Sequence, residues 1–402
     1  MAAAARRTRI AVAAAFATQG LGFAVLLTHL PAFKDRYDVG DGVVTAVIFG
    51  VALLAGAGTA LADRVSRSHG SGTALRLSLA TIGVAVLVIG LSPTLLPFVV
   101  GFAVYGIGVG GVDASMNMQA VALQHRYGRS ILTSFHAAWS AGGILGALYT
   151  SGTEKLELSL PLVLTVAAAA ILVVSGSIGE RVAASTSGIV NESDGENGGP
   201  AWRDPLASPG TAPWRPILLL GLAVVCFYVA DSGTSSWSSD FLHEVLGASK
   251  SVAPLAFAGY TGSSLVSRLV GDHAVRRFGG PAIVRVGGVL GAAGLLLVVV
   301  AQQPLLAITG FAVLGLGIGV IAPLSFAAAG ELSPGNADTV VAQVNVFNYV
   351  GFIAGGVVVG LFGSAGVLRG GFVVPLVLTL VIVALAPVFH PGHRSAALEL
   401  ER

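Results

Sequence analysis

Twelve long apolar blocks leave this chain almost no way to fold in water. A bilayer core about 30 Å thick calls for ~20 mostly apolar residues per helix. Runs of that kind recur at 10–30, 43–61, 75–95, 96–120, 131–150, 159–178, 217–240, 252–269, 283–301, 304–329, 339–362 and 372–389. Only 10% of the 402 residues are charged and 54% are hydrophobic, against roughly 25% charged residues in a soluble domain. Hydrocarbon offers the backbone no water to bond with, so such runs predict helices. The expected class is an all-α membrane protein with twelve transmembrane helices.

Charge placement predicts the orientation. With the N-terminus inside, the outer side receives Lys34, Arg36, Lys155, Lys250 and Arg369, and the other 17 of the 22 Lys and Arg fall on the cytoplasmic side. That bias fits the positive-inside rule and puts both termini in the cytoplasm of a bacterial-type plasma membrane. The basic start and first apolar run imitate a signal peptide, but eleven further spans predict a retained helix. Net charge of +2 gives no reason to expect nucleic acid as a partner, and the lone Cys226 can form no internal disulfide.

Residues 181–212 switch to Ser, Gly, Asp, Glu, Asn and Pro. They predict a flexible cytoplasmic linker between an N-terminal six-helix bundle, 1–180, and a C-terminal one, 213–402. The halves repeat. Residues 101–110, GFAVYGIGVG, match 310–319, GFAVLGLGIG, at 7 of 10 positions, and the same separation pairs Asp63 with Asp272 and Gly142 with Gly351. A parallel repeat predicts a pseudo-two-fold pair of bundles, with a solute site between them near the midplane.

The segment Leu61-Ala62-Asp63-Arg64, ending near Gly70, and its counterpart from Leu269 to Gly279 resemble the loop motif of the major facilitator superfamily. Thr59 stands where that motif usually has Gly. Within the superfamily the chain resembles the bacterial fucose-permease-like, sugar-transporter-related branch, through residues 110–119, 134–143 and the stretch from Asp231 to Ser238. The resemblance implies a monomeric secondary transporter moving a small solute, such as a sugar, by alternating access with proton symport. A proton-driven exporter of drugs or metabolites is the alternative. Against drug–proton antiport, Val104 occupies the position of that group's usual Arg, and residues 131–150 lack its proline-containing signature.

Ionisable groups inside a membrane are costly, about 2.5–3.5 kcal/mol for Asp at a helix centre, and usually mark a solute or proton path. Asp113 and Asp231 are the two acidic residues well inside spans. Asp113 and His136, at comparable depth, are expected to form a proton-coupling pair. Gln19, Asn117, Asp231, Trp237, Asn345 and Asn348 are the expected solute contacts, with amides for hydroxyl groups and an indole face for a ring. Each has a plainer alternative: helix–helix hydrogen bonding for the amides and an interfacial belt position for Trp237. Asp63, Arg64, Asp272, Arg276 and Arg277 are expected to form a conformational latch at the cytoplasmic ends. No Walker A sequence, metal-ligand cluster or His-Glu-x-x-His is present, and Gly106-x-Gly108-x-x-Gly111 lies mid-span without a preceding strand, so neither cofactor nor metal is expected. The contexts Ala230-Asp231 and Gly111-Val112-Asp113 do not fit an intramembrane aspartyl protease. The chain is therefore expected not to be an enzyme, and its partners are the solute, protons and the lipid bilayer.

Overall fold

The computed structural model describes residues 2–191, 214–249, 252–364 and 367–390. Among them are twelve long helical spans and no strand. These are α1 (Ala2–Thr28), α2 (Asp41–His69), α3 (Ser71–Leu91), α4 (Leu95–Tyr127), α5 (Leu132–Lys155), α6 (Leu160–Asn191), α7 (Trp214–Val245), α8 (Leu255–Phe278), α9 (Gly280–Val300), α10 (Pro304–Leu332), α11 (Ala337–Ser364) and α12 (Leu368–Phe389). A short helix, Leu30–Tyr37, joins α1 to α2. The backbone stays helical through Asn191, and the rest of the expected linker lies outside the described residues.

Ten of the twelve are long and apolar enough to cross a membrane on length and composition alone. The two that are not, α5 and α8, hold His136 and Trp139, and Tyr260, Arg268 and Asp272. Large apolar side chains point outward on the others: Leu96 is 74% exposed and Leu305 72%. Exposure of that kind on so many helices suits lipid and not water.

Packing divides the chain into two units. The first contains residues 1–127 and 138–210, and the second contains 128–137 and 211–402. The opening turns of α5 thus pack with the second unit and its remainder with the first.

The duplication persists in three dimensions. Helices α3 and α9 begin at Ser71 and Gly280, and α4 and α10 at Leu95 and Pro304, a constant separation of 209 residues. The chain reverses between α2 and α3 through Gly70 alone, and between α8 and α9 through Gly279 alone. Their φ values, 83° and 80°, are closed to most side chains. Each glycine N–H closes the preceding helix at 2.8 Å, on Ser66 O and Val275 O. In the first unit α4 crosses α2 at Gly110, where a Cβ would lie 1.8 Å from Ala55 O. In the second α10 crosses α8 at Gly315, where a Cβ would lie 2.2 Å from Tyr260 O. Tilted and edge-on rings cluster at the same end of each unit: Phe33, Phe98 and Phe102 in one, Phe241, Phe311 and Phe372 in the other.

Two of the cations expected in outer loops close helix ends instead. Arg36 donates to Ser92 O at 2.9 Å, and Arg369 to Val299 O at 2.7 Å and Ala301 O at 2.6 Å. Ser92 and Ala301 follow the last residues of α3 and α9, so a guanidinium meets the negative end of each helix dipole.

Several helices outrun the expected spans. The stretches carrying Asp63-Arg64 and Asp272–Arg277, read from sequence as loops, are the final turns of α2 and α8. Hydropathy ends a span where charge begins, but backbone hydrogen bonding does not need lipid to continue. For the same reason Arg268, counted among the cytoplasmic cations, is not in a loop. It lies ten residues before the end of α8 and is only 8% exposed.

Candidate functional site

Three helices of the first unit meet at Gln19, which is 4% exposed. Its Nε2 donates to Asp113 Oδ1 of α4 at 3.2 Å, and its Oε1 accepts the indole N–H of Trp139 from α5. Chemistry fixes the orientation of this amide. Indole nitrogen can only donate, so the Gln19 oxygen must face Trp139 and the nitrogen must face the carboxyl. Phe23 packs beside the indole with ring centroids 6.0 Å apart. Asn117 Nδ2 donates to the backbone O of Asp113 at 2.8 Å, tying one turn of α4 together. The buried Tyr105 hydroxyl is an electrostatic neighbour of Asp113 and has no hydrogen-bond partner among the described residues. The first unit therefore holds a carboxyl, an amide and an aromatic face in one polar patch of an apolar bundle.

In the second unit Asp231 of α7 accepts a hydrogen bond from Tyr260 O–H of α8. Arg268 acts electrostatically on both Asp231 and His136. The His136 ring is stacked on Phe326 of α10, with centroids 6.2 Å apart and planes 13° off parallel. Asp113 thus bonds to Gln19 within the first unit, and His136 stacks on Phe326 within the second.

The remaining expected solute contacts occupy two levels. Gly221 packs on Phe347, and Gly355 on Val229. Helices α7 and α11 therefore run parallel, with residue 348 near the level of 222. At 1.5 Å per residue, Asp231 lies about 13 Å further along than Asn348. Asn348 Nδ2 donates to Asn345 Oδ1 at 2.7 Å, and both residues are buried. Asn348 Oδ1 has no partner among the described residues. A buried acceptor left open is expensive unless something polar visits it. Trp237 differs, because its single N–H is committed to Gly356 O at 3.0 Å and its ring lies over Gly360. Only a ring face of Trp237 remains to offer a solute.

At the latch positions, Asp272 receives Ser130 Oγ at 2.9 Å, Thr133 N at 3.0 Å and Ser134 N at 2.9 Å. A carboxylate from α8 thus caps the N-terminus of α5, where orphan amides and the helix dipole both favour an anion. Arg276 donates to Ser130 O at 2.8 Å in the same junction. Asp63 pairs with Arg67, one turn on, at 2.8 Å. Arg64 is exposed, and Arg277 lies over the ring of Phe278.

Sequence reasoning passed over Trp139, Tyr260 and Arg268 as functional residues. Trp139 falls within the 134–143 segment that carries the resemblance, and the repeat separation of 209 residues sets it opposite Asn348. The signal for Tyr260 was a hydroxyl in an apolar run, which must find a partner.

The Major Facilitator Superfamily profile matches residues 220–400. An uncharacterized transporter of Sinorhizobium fredii is 25% identical over 377 residues, 94% of this chain and 97% of the relative. Among solved structures, the E. coli fucose:proton symporter superposes with a TM-score of 0.69 at 15% identity, covering 95% of this chain and 98% of that one. The proton:xylose symporter XylE gives 0.71 at 11% identity, covering 96% and 95%. Likeness at that identity concerns the fold.

Proposed function

We propose that the chain is a member of the major facilitator superfamily, as the profile match over residues 220–400 and the transporter relatives support, and that it imports a small polar solute such as a sugar, driven by protons, through alternating access. It is a multi-pass membrane transport protein that moves small solutes, and not an enzyme. The reading places it in a bacterial inner membrane with both termini cytoplasmic, acting as a monomer. The observation that carries the coupling is the Asp113–Gln19–Trp139 chain. A membrane-embedded carboxyl held by an amide, next to an aromatic face, is suited to exchange a proton in step with a bound ring. The two symporters named above, one for fucose and one for xylose, support this substrate class.

In this scheme Asp113 takes up and releases the proton, with His136 as the second proton-bearing group. Gln19, Asn117, Asp231, Asn345 and Asn348 meet the hydroxyls of the solute, and Trp237 contributes its ring face. The Asp272–α5 cap, with Arg276 and Arg277, and the Asp63 end of α2, with Arg64, form in one access state and part in the other. The decisive test is uptake of a panel of neutral hexoses, pentoses and polyols into liposomes, with and without an imposed pH gradient. One or more should accumulate only with the gradient, and Asp113→Asn should lose accumulation while keeping counterflow exchange. Accumulation by Asp113→Asn equal to wild type refutes the coupling role, and gradient-independent uptake makes the chain a uniporter.

A further inference from the structure

Helix α10 is interrupted at Gly319-Val320, between the segments Pro304–Ile318 and Ile321–Leu332. Pro323 explains part of the break. Having no N–H, it leaves the carbonyl of Gly319, four residues earlier, without its helical donor. The structure supplies a replacement from another helix: Arg268 Nε of α8 donates to Gly319 O at 3.1 Å in a buried setting.

The duplicated half shows why this is more than a packing accident. Separated from Arg268, Gly319 and Pro323 by the repeat distance are Thr59, Gly110 and Ala114. Thr59 Oγ1 donates to Gly110 O at 3.1 Å, the matching contact. There the fourth residue on is Ala114, whose N–H is present, and α4 runs unbroken from Leu95 to Tyr127. One fastening occurs in both halves. In the first it is an extra bond on a complete helix, and in the second it stands in for a missing rung and is carried by a cation. A guanidinium this deep is costly and is rarely kept where a hydroxyl would do.

We propose that Arg268 is the strap of a hinge at Gly319-Val320, closing α10 in the state seen here and letting its Ile321–Leu332 segment swing when the bond to Gly319 O parts. That segment carries Phe326, which lies against His136, so the hinge joins a proton-coupling position to helix movement. The role adds to the carrier function proposed above, but its primary test needs no solute.

The experiment is hydrogen–deuterium exchange of the full chain in lipid nanodiscs, read on peptides covering residues 316–330. Arg268→Met should speed exchange there about tenfold, the loss expected for one charged hydrogen bond. Pro323→Ala restores the backbone donor. It should slow exchange in that segment, and in the double variant should bring the Arg268→Met effect back to within about twofold of wild type. Thr59→Ala is the control, and exchange around Gly110–Ala114 should stay within about twofold because the helical bond remains. If Arg268→Met does not fold, the slowing by Pro323→Ala alone decides. Unchanged exchange in Pro323→Ala, or an undiminished Arg268→Met effect in its background, overturns the strap. With a transported solute in hand, Pro323→Ala should lower turnover with little change in KM.

Discussion

Removing the Gln19 amide separates the two ends of the Asp113–Gln19–Trp139 chain, and the cost can be worked from its geometry. Gln19→Leu keeps most of the side-chain volume but takes one donor from Asp113 and one acceptor from Trp139. A hydrogen bond to a charged group contributes about 1.5–3 kcal/mol in soluble proteins. Interhelical bonds in a membrane average about 0.6 kcal/mol and reach about 1.7. Taking the upper membrane value for the carboxyl end and the average for the indole end, Gln19→Leu should cost about 2 kcal/mol. Trp139→Phe keeps a ring against Phe23 but removes the N–H, and should cost about 0.6 kcal/mol, the indole bond alone. The double variant should cost about 2 kcal/mol and not 3, because the indole bond can be lost only once. Reversible denaturation in mixed micelles, followed by tryptophan fluorescence or circular dichroism, measures all four corners of the cycle. Strict additivity refutes a connected chain and reduces Gln19 to an isolated helix contact.

Four other outcomes follow from contacts described above. Asp272→Asn weakens a three-bond cap on α5, worth about 0.5–2 kcal/mol, and should shift the access equilibrium severalfold, read by cysteine labelling at the buried Thr133, which holds Asp272 through its backbone N–H alone; an unshifted labelling pattern refutes the latch. Trp237→Phe retains the ring face and loses the bond to Gly356 O, so it should lower stability by about 0.6 kcal/mol with KM unchanged; a tenfold rise in KM would instead give the indole N–H to the solute. Asn348→Leu removes an open buried acceptor together with the bond to Asn345 Oδ1, so it should raise KM while lowering stability by no more than about 0.6 kcal/mol, whereas a larger stability loss with an unchanged KM would make the amide structural. Arg369→Met uncaps the end of α9 and should cost about 1 kcal/mol in the same unfolding assay, with turnover per folded molecule unaffected.

The membrane class, the span count and the duplication were legible in the sequence because they rest on long-range averages: apolar run length and a repeat that recurs over whole helices. Helix ends were less so. Asp63 and Asp272 read as loop residues because charge stops a hydropathy window, while helical bonding carries on to Gly70 and Gly279. Individual polar residues in spans also stood out, since each is expensive where it sits, and Gln19 and Asp113 were both noted. Their joining was invisible: 94 residues separate them, and periodicity says which face a residue occupies but not which helix lies opposite. Arg268 was misplaced for a related reason, because a cation near the end of an apolar run looks like a loop charge until the partner carbonyl, set up by Pro323 on another helix, is known.

The one-residue turns at Gly70 and Gly279 leave no slack between the helices they connect. A twist applied to α2 is handed directly to α3, and one applied to α8 to α9, so each hairpin works as a stiff lever. Flexibility must then enter at the looser joints, such as residues 92–94 and 301–303, or at the cut rung of α10. Lengthening either glycine turn by a few flexible residues would turn one lever into two independent rods, and any motion that depends on leverage would be lost while the fold itself survived.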